Sequence, residues 1–205
     1  MKITAIKQQE RLKSRYSIYI DEKYTFSLSA DALLQEGLRA GLEIDEPQLQ
    51  VYKKLSADDK AYGLAIAYIA RRMRSQGELT DYFRRKGYDE ALSDQLMLRL
   101  QKNGMVDDAK FAEAWVRNRR LLRQSSSRRL TQELRQKHIA DDLIEAALHD
   151  DETDEATMLG ELVIRKRRLS KYQDNLKLMQ YLARQGFSYD AIKRALAAES
   201  GDGAS

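Results

Sequence analysis

The sequence predicts a mainly α protein: a tandem array of three three-helix repeats behind a small N-terminal extension that contains a β-hairpin. Three observations carry this. The chain's only proline is Pro47, and the following residues are dominated by Ala, Leu, Arg, Gln and Glu, all good helix formers. Ahead of it, "YSIYI" (16–20) and "YTFSL" (24–28) are short β-rich runs with polar residues interleaved, separated by "DEK". Behind it, one apolar and turn pattern recurs three times, anchored on Leu79, Leu130 and Leu178.

The elements follow in order. "ITAIK" (3–7) offers a third strand to the hairpin. "SADALLQEGL" reads as a short helix with Ser29 as N-cap and Asp31 in its first turn. Pro47 closes this segment, so the extension is assigned to 1–46. The repeats are assigned to 47–104, 105–149 and 150–198, and "ESGDGAS" reads as a disordered tail over 199–205.

Within each repeat the sequence predicts a longer helix, a short helix, a tight turn and a third helix. Four residues after each anchor stand Phe83, Leu134 and Leu182, which completes an i, i+4 apolar stripe on the short helix. Eight residues after it stand Gly87, His138 and Gly186, where the helix must stop; Tyr88, Ile139 and Phe187 follow and pack back. Ser75 and Glu78 read as a capping box for the first short helix. The serine run 125–127 precedes the second. Gly104 closes one helix, Asp107 or Asp108 caps the next, and Phe111 and Trp115 form its apolar pair. "HDDETDEA" (149–156) is an acidic hinge.

Composition excludes several chemistries. With no cysteine, disulfides, thiolate catalysis and cysteine-bound zinc are ruled out. Two histidines, His138 and His149, do not make a proton relay or a histidine-rich metal site. No nucleophile–base spacing, phosphate-cradling glycine loop or pair of catalytic carboxylates is present, so no catalytic residue, cofactor or metal is expected. No apolar run approaches the ~20 residues of a membrane helix, and "MKITAIKQQERLK" lacks the apolar core of a signal peptide. A cytoplasmic monomer is expected.

Charge is segregated. Residues 1–60 hold 10 basic and 10 acidic side chains; residues 61–137 hold 17 and 9, a balance of +8; residues 138–205 hold 9 and 13, a balance of −4. Thirteen of the 17 are arginine, which suits bidentate contact with phosphate or carboxylate. The candidate contacts are Arg72, Arg84, Arg85 and Lys86 in the first repeat. Arg117, Arg119, Arg120, Arg123, Arg128 and Arg129 follow in the second, and Arg165, Lys166, Arg167, Arg168 and Lys171 in the third. The bland alternative is a set of solvated helix faces. Trp115, Phe83 and Tyr88 sit on apolar stripes and read as core; Tyr82 and Tyr181, one residue off those stripes, are the better aromatic contacts.

Several stretches resemble the RecX family of bacterial recombination regulators. They are Arg72-x-x-Ser75-x-x-Glu78-Leu79, then Lys86-Gly87-Tyr88; Val106-Asp107-Asp108, then Phe111-Ala112 and Trp115; "RRLTQELRQKHI" (128–139); and "LARQGFSYDAI" (182–192). The likeness covers roughly residues 61–198 and lies in the ordered series of three different motifs. It implies a tandem three-helix array forming an elongated curved body. It also implies a non-enzymatic protein that lodges in the groove of the RecA–single-stranded DNA filament and inhibits its ATPase, strand-exchange and coprotease activities. A place in DNA repair and the SOS response, and single- or double-stranded DNA as a further partner, come with it. Two departures are visible: His138 stands where the family has a glycine, and the serine run 125–127 replaces a glycine-containing segment. The rival reading from the residues alone is a direct DNA-binding regulator of helix-turn-helix type, with Gln132 and Gln136 available to base edges.

Overall fold

The computed structural model describes residues 1–202. It forms two compact units, Met1–Met73 with Tyr88–Arg99, and Arg74–Gly87 with the chain from Leu100 onward.

In the first unit, β1 (Ile3–Gln8), β2 (Arg15–Ile20) and β3 (Lys23–Ser29) make an antiparallel sheet in sequence order. The hairpin turn is two residues long. Asp21 and Glu22 both take positive φ (46° and 67°), the backbone twist a tight hairpin favours. Lys23, expected in the loop, pairs with Ile20 instead. Alternation sends Ile18, Ile20, Phe26 and Leu28 to one face, where they bury against Ile3, Leu38, Ile44 and Leu49.

Helix α1 (Ala30–Gln35) is capped by Ser29 as expected. Pro47 lies in the first turn of α2 (Glu46–Ile69), where its missing N–H has no helical partner to lose. Asp45 and Gln48 form that helix's capping box. Further along α2, the buried Asp59 accepts from Arg15 (2.7 Å), from the Ser29 amide (2.8 Å) and from the Ser29 hydroxyl (2.6 Å). This fixes the helix against the sheet.

The remaining helices are α3 (Gln76–Lys86), α4 (Glu90–Lys102), α5 (Asp108–Arg123), α6 (Ser127–Arg135), α7 (Asp141–His149), α8 (Glu155–Arg167), α9 (Asn175–Arg184) and α10 (Tyr189–Asp202). The expected stripe residues Leu79, Phe83, Leu130, Leu134, Leu178 and Leu182 are all essentially inaccessible. In the second unit, α5–α7 enclose a core of Phe111, Ala112, Val116, Leu130, Leu134, Ile139 and Ile144. Helices α8–α10 enclose another, of Met158, Leu159, Leu162, Val163, Leu178, Leu182 and Phe187. Helix α10 runs to Asp202, past the point at which the disordered tail is expected to begin; 203–205 lie outside the described residues.

The three predicted turns share one conformation. Gly87, His138 and Gly186 have φ of 72°, 59° and 93°. Each donates its amide to the carbonyl three residues back, Arg84, Arg135 and Ala183 respectively.

Candidate partner-binding surface

The short helices of the second unit are joined end to end by a repeated polar junction. Ser75, the N-cap of α3, accepts from the Glu78 amide (3.2 Å) and donates its hydroxyl to the Lys137 carbonyl (2.7 Å), in the turn that ends α6. Ser126, the N-cap of α6, accepts from the Arg129 amide (3.2 Å) and donates to the Gln185 carbonyl (3.1 Å), in the turn that ends α9. The first amide of α3, and that of α6, is taken by a carboxylate at the start of the next repeat. Asp108 accepts from Gln76 (2.8 Å), and Glu155 accepts from Ser127 (2.8 Å).

Sterically the two junctions are complementary. A side chain at Gly77 would overlap His138, and one at Gly186 would overlap Ser126 and Arg129. His138 therefore fits at its turn because a glycine, Gly77, stands opposite it.

These contacts bear on two expectations. Asp107 caps α5, and the Lys110 amide it accepts from lowers its pKa below the usual carboxylate range. Asp108 is no local cap but serves α3, and burial raises its pKa. The Glu78 carboxylate of the expected capping box receives Lys137 Nζ at 2.6 Å.

The candidate basic residues divide into internal and outward groups. On α5 the inward face is Asp108, Ala112, Val116 and Arg120, an i, i+4 ladder. Arg120 is thus buried and not available as a contact. It donates to Asp151 (2.7 Å), to the Ser125 carbonyl (2.7 Å) and to the Ser127 hydroxyl (2.8 Å), and pairs with Glu155 (3.4 Å). Arg119 (2.7 Å), Arg129 (3.0 Å) and the Trp115 indole (3.0 Å) all donate to Glu133. Burial of that carboxyl pushes its pKa up, but Arg129, Arg119 and Trp115 outweigh it and hold it below the usual glutamate range. Arg119 also lies over the Trp115 ring at 4.4 Å. Arg167 turns inward to Glu199 (3.0 Å) and the carbonyls of Tyr172 and Gln173.

The outward group is Arg72, Arg84, Arg85, Lys86, Arg117, Arg123, Arg128, Arg165, Arg168 and Lys171, all exposed. Of these, Arg84 pairs with Asp81 (2.9 Å) and Arg72 donates to the Met73 carbonyl. Lys166 is half-buried over the Tyr181 ring (4.7 Å), and Lys86 lies over Tyr82 (5.7 Å), so both candidate tyrosines carry a lysine on one face.

One cluster combines charge with exposed apolar surface. Gln124, the left-handed residue ending α5, accepts from Arg165 on α8. This brings Arg165 beside Gln124, which lines one groove together with Arg117 and Leu121. Leu121 and Leu122 are 77% and 75% exposed, well beyond a core leucine. Beside them opens a groove of about 950 Å³ with Val116, Ala147 and Met158 in its lining. Six carboxylates line it as well: Glu113, Asp150, Asp151, Glu152, Asp154 and Glu161. The sequence reading missed this mixed surface. Its signal was the spacing of Asp108, Ala112 and Val116, which places Arg120 inside and Leu121 and Leu122 outside.

Four domain descriptions of one family match the chain in order: "Regulatory protein RecX N-terminal domain" over 1–45, and the first, second and third RecX three-helix domains over 61–100, 107–148 and 150–196. The regulatory protein RecX of Halalkalibacterium halodurans is 34% identical over 150 residues, and that of Bacillus pumilus 36% over 146. Each alignment takes in 71% of this chain and 56% of the relative, so the chain spans little more than half the length of these curated relatives. A crystal structure of a regulatory protein RecX superposes with a TM-score of 0.72 at 27% identity, covering 96% of this chain and 98% of that one. RecX from Lactobacillus salivarius, at 24% identity and a TM-score of 0.57 over 69% of this chain and 95% of its own, shares the fold. With its N-terminal sheet and all three helical domains matched in sequence order, the chain belongs to the RecX family.

Proposed function

We propose that this protein is a non-enzymatic regulator of the RecA recombinase. It binds the groove of the RecA–single-stranded DNA filament and inhibits recombination, ATP hydrolysis and coprotease activity. The family resemblance supplies RecA as the partner. The observation that supports a protein partner is the mixed surface around Gln124. Exposed arginines, exposed leucines and a carboxylate-lined groove occur together there. Bare nucleic acid offers phosphates, which the six carboxylates repel. A protein surface offers both signs of charge and apolar side chains to fill the groove. Several weak contacts along a filament then add through effective concentration.

The second reading, a direct DNA-binding regulator, is favoured by the exposed Gln132 and Gln136 of α6. Titration of the protein into RecA-driven ATP hydrolysis on single-stranded DNA separates the two. Substoichiometric amounts are expected to slow hydrolysis and to co-sediment with filaments. An unchanged rate with no filament binding would sink the proposal.

A further inference from the structure

Of the three equivalent turns, two are occupied. The turn at His138 receives the N-terminus of α3, and the turn at Gly186 receives that of α6. The turn at Gly87 has the same left-handed conformation, yet a side chain built there would meet nothing within 4 Å, and Gly87 is exposed. We infer that the Lys86–Gly87 turn is a preformed docking site for the N-terminus of a helix in a partner protein, one capped by serine and carrying glutamate three residues later.

The chemistry of that partner follows from the occupied junctions. The capping hydroxyl must do two things at once: accept from its own helix and donate to the turn carbonyl. Ser75 and Ser126 both do so. An aspartate cap accepts but, ionised, has no hydrogen to give. The glutamate follows from the residue before the turn. Lys137 holds that place in the first junction and pairs with Glu78 at 2.6 Å. Lys86 holds it at the open turn, exposed and flanked by Arg84 and Arg85. A Ser-x-x-Glu helix start thus meets a carbonyl, a lysine and a basic rim, in continuity with the internal junctions.

The chain's own far end is mismatched to this site on both counts. The N-cap of α9 is Asp174, which accepts from the Lys177 amide. Asp174 stands where Ser75 and Ser126 stand, and Lys177 stands where Glu78 stands. Docked on a second copy, Asp174 would face the Lys86 carbonyl with a carboxylate that has no hydrogen to donate, and Lys177 would face Lys86. The occupant is therefore a different protein. This inference does not depend on RecA being that protein.

The mismatch supplies the test. Asp174→Ser with Lys177→Glu gives the full chain a matched end. Sedimentation velocity is expected to show concentration-dependent association for this variant and none for the unaltered protein. Adding Lys86→Glu should abolish it. Failure of the double variant to associate, with its helical circular dichroism intact, overturns the inference; so does association that survives Lys86→Glu. Should the double variant misfold, the unaltered chain is titrated with a peptide of residues 72–86. A saturable shift of the Gly87 amide resonance is expected, and is to be lost with the Ser75→Ala, Glu78→Gln peptide. No selective shift at Gly87 overturns the inference equally.

Discussion

Serine and aspartate both cap helices, yet only the serine hydroxyl can also donate to a second element. Where a cap in this chain must tie two elements together, at Ser29, Ser75 and Ser126, the residue is serine. At Asp45, Asp107, Asp154 and Asp174 the cap serves its own helix. Ser126→Ala should therefore remove an N-cap and one of the two donors to the Gln185 carbonyl, leaving the residue's own amide at 3.1 Å, at a cost of about 1–2 kcal/mol. Ser126→Asp should keep the N-cap and still destabilise, because its carboxylate faces that carbonyl. Urea midpoints for the two variants check both. The steric half of the junction is equally specific. Gly77→Ala places a methyl on His138 and should cost about 1–3 kcal/mol by overpacking. In a His138→Gly background the same change should cost much less, so a double-mutant cycle would show coupling between the two sites. Zero coupling would mean that the turn yields freely.

Helix α5 shows why an element cannot be read from its charges alone. The stripe of Leu79, Phe83 and their repeats was legible because apolar residues at i, i+4 admit one burial. The turns were legible because Gly87 and Gly186 mark positive φ, and the pattern extended to His138. Arg120 was not legible as a core residue, because an arginine enters a core only when acceptors arrive from distant segments. Here they are Asp151 and Glu155, 31 and 35 residues away. Arg120→Ala should cost about 3–5 kcal/mol, since it takes a buried cation away from Asp151 and from the Ser125 carbonyl. Arg123→Ala, three residues on but exposed, should stay within about 0.5 kcal/mol. A charge-reversal set that includes Arg120 would thus report on folding more than on binding. Between α5 and α6, Glu133 adds a pH dependence. Its folded-state pKa lies below its unfolded value, so its contribution is fully present above the ordinary glutamate range. That contribution is lost as pH falls through the lower, folded-state value. Glu133→Gln should flatten the loss of stability measured between about pH 6 and about pH 3.

Across the whole molecule, part of the positive charge of the middle block is held in intramolecular ion pairs. Glu133 holds Arg119 and Arg129, Asp151 and Glu155 hold Arg120, Asp141 holds Arg135, and Glu78 holds Lys137. What reaches solvent beside the groove is a smaller set, Arg117, Arg123 and Arg165, set among leucines and carboxylates. A phosphate-reading surface would need these arginines to act through counterion release, each contact adding about −0.7 to the salt slope on single strands. A protein-reading surface would use them as short charge-assisted hydrogen bonds to carboxylates, worth about 1.5–3 kcal/mol each where they are desolvated. The triple variant Arg117→Gln, Arg123→Gln, Arg165→Gln separates the two. It should raise the amount needed for half-inhibition of RecA-driven ATP hydrolysis by about tenfold or more, a loss below the sum of three such contacts because exposed rim pairs are weaker. Its affinity for bare single-stranded DNA, and the salt slope of that binding, should stay where the unaltered protein has them. A parallel fall in DNA affinity, with a slope shallower by about 2, would instead assign all three side chains to phosphates.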